Sequence, residues 1–134
     1  MTRIFSLILC VIVLPLGVST VANAEEVFRL RMFFGLSMPA GGGVSLEQWN
    51  SFQQEEIVKT FDGFNVVDSV GYYKGKPERS KIVTVIVTQP EVKKAKELAA
   101  LYSKKFKQES VMVVKVPVLE WSFIGADWSG QTNQ

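Results

Sequence analysis

The sequence predicts an α+β domain, a four-stranded antiparallel sheet with two helices on one face. Three observations carry this expectation. The stretch Phe28–Met38 has an apolar residue at every even position: Phe28, Leu30, Met32, Phe34, Leu36 and Met38. That is the period-two alternation of a strand with one face in a core. Strand-like and helix-like segments then follow one another as strand-helix-strand, twice over. The third observation is Ile82-Val-Thr-Val-Ile-Val87, almost continuously apolar and β-branched, as an interior strand would be.

The chain opens on a segment outside that domain. Residues 1–24 have the features of a secretory signal: Arg3, an apolar run from Ile4 to Val13 broken only by Ser6 and Cys10, and Ala22-Asn23-Ala24. Glu25 is the expected mature N-terminus, and a periplasmic or secreted location follows. The apolar run is short for the ~20 residues of a membrane span, so no span is expected in the mature chain. Residues 25–134 are expected to form a single domain, of a size that can bury a core.

Composition excludes several function classes. The sequence of 134 residues holds 15 Lys and Arg against 13 Asp and Glu. Residues 1–24 contribute one Arg and no acid, which leaves the mature domain near +1. Such a balance argues for neither nucleic acid nor an anionic membrane as partner. There is no His, and the single Cys is Cys10. Zinc, copper and haem sites therefore lose their usual ligands. Ser-His and Cys-His nucleophiles are removed as well. No run of carboxylates is spaced like a calcium loop. No cofactor or metal is expected, and stability must come from the core without disulfides.

The first strand runs into Pro39-Ala-Gly-Gly-Gly43. A helix is expected from Ser45, where Ser45 and Gln48 have capping-box spacing. Leu46, Trp49, Phe52, Ile57 and Phe61 form a broad apolar stripe, and Asp62-Gly63 ends the helix. Phe64 to Lys74 reads as a second strand, with Val66, Val70 and Tyr72 on one parity and a turn at Gly75-Lys76-Pro77. Arg79 to Thr88 is the third strand. Pro90 suits the first turn of a second helix, in which Val92, Ala95, Leu98, Ala99, Tyr102 and Phe106 recur at helical spacing. Its lysines sit elsewhere, on a solvated face, and those near its end suit the dipole. Val111 to Val118 is the fourth strand, an edge or bulge because of Pro117. Leu119 to Trp128 is a candidate extension of it, and Gly130 to Gln134 a polar end.

The simplest assembly of these elements is the ferredoxin-like split β-α-β arrangement. Right-handed crossovers place the first and third strands in the centre. Leu30, Met32 and Phe34 should then face the helices, with Trp49, Phe52, Leu98 and Tyr102.

Four segments stand in a recognisable order: Phe33-Phe34-Gly35-Leu36-Ser37 with its Gly-rich loop, Trp49 and Phe52, Glu78-Arg79-Ser80-Lys81, and Phe106-Lys-Gln-Glu-Ser-Val111. Together they resemble a bacterial family of small secreted domains of unknown function, over roughly Leu30 to Phe123. The resemblance implies an envelope location and a single domain. It brings no reaction, ligand or catalytic residue with it.

Three groups are candidates for chemistry. Gly41 to Gly43, before a helix start, could offer backbone N–H groups to an anion, but it lacks the P-loop and dinucleotide patterns. Around Glu78-Arg79-Ser80-Lys81, the residues Arg79, Ser80 and Lys81 could approach Arg29 and Arg31, or the end of the first strand. Such a cluster would favour a small anionic ligand, a carboxylate or phosphate. Glu55 and Glu56 are adjacent on a helix and so point apart, which argues against shared acid-base work.

The second face of the sheet completes the expectation. It would present Arg29, Arg31 and Phe33 beside Ile82, Thr84 and Ile86, an exposed amphipathic patch that marks association or a ligand face. A homodimer through this face, or an envelope partner, is the favoured reading, and a binding role is favoured over catalysis. Two alternatives stay open: the segment Trp121 to Trp128 covering the face within one chain, and a small-molecule enzyme with its pocket at a subunit interface.

Overall fold

The computed structural model describes residues 25–38 and 40–130. The expected signal, residues 1–24, lies outside them. The sheet is built from β1 (Val27–Gly35), β2 (Asn65–Tyr73), β3 (Lys76–Thr88) and β4 (Met112–Pro117), all antiparallel, in the order β2-β3-β1-β4. The first and third strands are central, as the alternation of Phe28–Met38 and the apolar run of β3 require.

Two helical runs pack on one face. The first spans Leu46–Phe52, a π-helical turn at Gln53–Ile57, and Val58–Thr60. Its start is the expected capping box: Gln48 N–H donates to the Ser45 hydroxyl at 3.1 Å, and Ser45 N–H to Gln48 Oε1 at 2.9 Å. The π-turn follows from the spacing of its buried residues. Trp49, Phe52, Ile57 and Phe61 are all buried, yet Phe52 and Ile57 are five apart. At about 100° per residue an α-helix would turn Ile57 about 140° away from Phe52. The wider i→i+5 turn brings it back to the core face. Leu46, counted in the stripe from sequence, is 67% exposed.

The second helix, Gln89–Lys105, carries Pro at its start and its own capping box, Thr88 with Glu91. It buries Val92, Ala95, Leu98, Ala99 and Tyr102. Between helices and sheet lies an aromatic cluster. Phe34 sits 4.9 Å from Tyr102, 5.5 Å from Trp49 and 5.9 Å from Phe52, ring centre to ring centre. Leu30, Met32 and Phe34 face it, fully buried, as expected.

Several local expectations are corrected. The β2–β3 turn is Lys74-Gly75, both at positive φ (49° and 76°). This is the backbone of a tight two-residue hairpin, and β3 therefore begins at Lys76. Ile82 is not left outside: it is 6% exposed, between Phe33 and Val67 in one cross-strand row. The extension Leu119–Trp128 forms no strand. β4 ends at Pro117, opposite Phe28; Val118 N–H still donates to the Val27 carbonyl at 2.9 Å, and there β1, its partner strand, begins.

The glycine loop folds on itself. Val44 N–H donates to Leu36 C=O at 2.7 Å, Gly41 N–H to Met38 C=O at 3.0 Å and Met38 N–H to Gly42 C=O at 3.2 Å. These donors face the loop's own carbonyls and not an anion. Gly43 is required there, since a Cβ would lie 2.7 Å from the Leu36 carbonyl oxygen.

Candidate functional site

The face of the sheet away from the helices is open. Strand alternation puts Arg29, Arg31 and Phe33 of β1 on it. Opposite them stand Ile86, Thr84 and Ile82 of β3, and Val116, Val114 and Met112 of β4. Arg29 and Arg31 are exposed, and the Arg31 guanidinium lies over the Phe33 ring, 5.2 Å from its centre.

At one end this face falls into a cleft of about 620 Å³. β1 and its exit contribute Phe33, Gly35 and Ser37; the β2–β3 hairpin contributes Gly71, Tyr72, Tyr73, Glu78 and Ser80. The loop after the second helix supplies Gln108, Glu109 and Ser110, with Met112 beginning β4. Three separate segments singled out in the sequence thus meet here, each through alternate or consecutive residues.

Local structure fixes this meeting. Lys107 adopts positive φ, 51°, which turns the chain sharply after the helix. The side-chain amide of Gln108 then donates to the Ser37 carbonyl at 2.7 Å. Gly35 leaves the room: a Cβ there would stand 3.3 Å from Gln108 Oε1. Beneath it the Tyr102 hydroxyl donates to the Gly35 carbonyl at 2.7 Å, and burial pushes the pKa of that hydroxyl above the ordinary tyrosine range. Neither Glu78 nor Glu109 has an ion-pair partner among the described residues.

The cationic cluster expected from sequence is divided. Ser80 is on the open face and lines the cleft, opposite Gly35. Arg79 and Lys81 have the other parity. Lys81 pairs across β1 with Phe34 and across β2 with Asp68, and its ammonium binds the Asp68 carboxylate. That hydrogen bond and charge hold Asp68 below the usual carboxylate range. Arg79 is exposed beside Val70. Arg29 and Arg31 register with Ile86 and Thr84, so Arg79 and Lys81 do not join them; only the approach to the end of β1 occurs. Tyr72, Tyr73, Gln108 and Glu109 escaped the sequence-based site. The signal for the last two was their place in Phe106–Val111.

A second cavity, about 650 Å³, lies at the opposite end. β2 begins opposite Thr84, so Val85–Thr88 has a strand neighbour on one side only. Trp121 and Phe123 border this gap with Ile86 and Phe64. The C-terminal segment therefore reaches one end of the sheet. It does not blanket the face: Leu119 is fully exposed, and Phe123 is 92% exposed. Among the described residues no group of three or more His, Cys, Asp or Glu could hold a metal ion, and no helix is long and apolar enough to cross a membrane.

Fold and cleft define a small α+β domain with one covered and one open sheet face. The chain belongs to the DUF3574 family, described as proteins of unknown function, whose model matches residues 29–123. No curated protein matches it. Among solved structures it is similar to a phage SAM lyase in complex with S-methyl-5'-thioadenosine, at 21% identity and a TM-score of 0.54, over 79% of this chain and 95% of the other. The apo state of a phage SAM lyase matches at 21% identity and a TM-score of 0.49, over 80% and 95%. At this identity the likeness is one of fold.

Proposed function

We propose that the protein is exported and acts as an interaction domain that self-associates through the open face of its sheet. The face itself supports this reading. Val67, Ile86, Met112, Val114 and Val116 are 36% to 56% exposed around Arg29, Arg31 and Phe33. Covering them removes apolar surface from water at ~25 cal/mol per Å², and a two-fold axis lets the patch meet itself. The arginines of two copies then approach one another. A carboxylate or phosphate ligand between them relieves the repulsion, which is the role left for Arg29 and Arg31. Light scattering on residues 25–134 should give a dimer at high micromolar concentration, and Val114→Asp or Ile86→Asp a monomer. A monomer in every case sinks the reading. Export is checked separately: envelope material should begin at Glu25, and an intact Met1 form confined to the cytoplasm contradicts it.

A second reading, a small-molecule enzyme with its pocket at the rim of that interface, is favoured by the cleft. Polar groups converge there, and Phe33 and Met112 belong both to the cleft and to the open face. A phage SAM lyase of this fold is seen holding S-methyl-5'-thioadenosine, so the architecture can accommodate a nucleoside thioether. Incubation with S-adenosylmethionine, followed by mass spectrometry for S-methyl-5'-thioadenosine, tests it. Product formation that Glu78→Gln abolishes supports lyase activity; no product over the uncatalysed rate removes it.

A further inference from the structure

We propose that the cleft at the end of the open face binds an organic cation, a quaternary ammonium or sulfonium group on a small apolar frame. This rests on the second reading above, that the cleft takes a small molecule, and it assigns the chemical class. About 620 Å³ is the size of a small-molecule site.

Charge decides the class. The carboxylates lining the cleft are Glu78 and Glu109, and no Lys or Arg lines it. Both carboxylates lack an ion-pair partner among the described residues, so an anionic ligand is repelled and a cation supplies the missing counter-charge. A bare metal ion is a poor match, because the described residues offer no cluster of ligating side chains.

The remaining walls suit an organic cation. Phe33 and Tyr73 line the cleft from the face of the sheet that carries Glu78 and Ser80, and a cation over an aromatic face is attracted to its quadrupole. Both rings already attract cations of the chain itself: Arg31 lies over Phe33 and Lys74 over Tyr73, each 5.2 Å from the ring centre. Tyr72 also borders the cleft, but it registers with Pro77 on the other face of the sheet. Met38 and Met112 add polarizable thioether surface for the apolar frame. Inorganic cations keep their water and gain little from such walls, whereas alkylated ones lose little on leaving it.

Choline and its neutral carbon isostere 3,3-dimethylbutan-1-ol test the charge at constant shape. Each is titrated into ¹⁵N-labelled residues 25–134, and amide shifts are followed at Gly35, Gly71 and Ser80. Choline should shift these amides saturably and bind at least about tenfold more tightly than the isostere. Glu78→Gln and Glu109→Gln should each weaken choline at least about threefold, while Asp62→Asn, outside the cleft, should not. Equal binding of the two probes overturns the cation assignment and leaves a small-molecule cleft standing. Absence of saturable shifts at those amides with either probe overturns the inference outright; the mass-spectrometric assay above still decides the lyase reading by itself.

Discussion

The side-chain amide of Gln108 donates to the carbonyl of Ser37 at 2.7 Å, joining residues 71 apart in sequence. This bond holds the loop after the second helix against the exit of β1 and so sets Glu109 across the cleft from the hairpin that carries Glu78. Gln108→Ala should cost only about 0.5–1.5 kcal/mol, the net value of an ordinary hydrogen bond. Its larger effect should be on the cleft, with the ¹⁵N resonances of Glu109 and Ser110 broadened or shifted. Unchanged resonances there would show that the loop is positioned by its backbone alone.

Phe34 sits at the centre of the aromatic cluster with no exposure. Phe34→Ala should lower unfolding free energy by about 3–5 kcal/mol in denaturant melts. A loss below about 1 kcal/mol contradicts the packing, since a cavity of that size is not made so cheaply.

Tyr102 tests the polar side of the same cluster. Tyr102→Phe leaves the Gly35 carbonyl without its donor and should cost about 1–3 kcal/mol. Because burial raises the hydroxyl pKa in the folded state, the unfolded chain releases its proton first as pH rises. The neutral hydroxyl's contribution is complete below about pH 10 and is lost progressively above it. Alkaline unfolding midpoints should therefore shift upward in Tyr102→Phe relative to its own stability at pH 7.

Asp68 gives the opposite limb. Its folded pKa is depressed by Lys81 below the ordinary value of 3.8. Its contribution is present above that value and disappears as pH falls through the folded pKa. Stability of the wild type should decline on this limb, and Asp68→Asn should flatten the decline. The carboxylate is 74% exposed, so added salt should shrink the difference between the two proteins.

The π-turn makes a prediction about length. Deleting exposed Glu55 shortens the Phe52-to-Ile57 spacing to four, which a regular α-helix satisfies. The deletion should fold with only a small fall in thermal midpoint. Inserting an alanine after Glu55 should be far more damaging, because six-residue spacing turns Ile57 out of the core. Equal damage from both changes would show that the bulge is fixed by something other than this spacing.

The sequence by itself determined the elements and the buried side of each. Period-two alternation orients β1, five-residue and four-residue gaps mark the core face of the first helix, and the apolar run of β3 demands a central place. Each of these is a local consequence of side-chain direction along one segment. Burial then selects one solution for the layers. The π-turn was implicit in the gap from Phe52 to Ile57, but reading it requires knowing that both are buried.

What only the tertiary structure decided is register and meeting. Arg29 and Arg31 look near Arg79 and Lys81 until the ladder sets them opposite Ile86 and Thr84. The parity of β3 then sends Glu78 and Ser80 to one face and Arg79 and Lys81 to the other. A one-residue shift would exchange those sets, and no local pattern in a charged strand end forbids it. Glu109 reaches Glu78's cleft only because Lys107 turns left-handed and Gln108 finds the Ser37 carbonyl, a contact between segments that local sequence cannot encode.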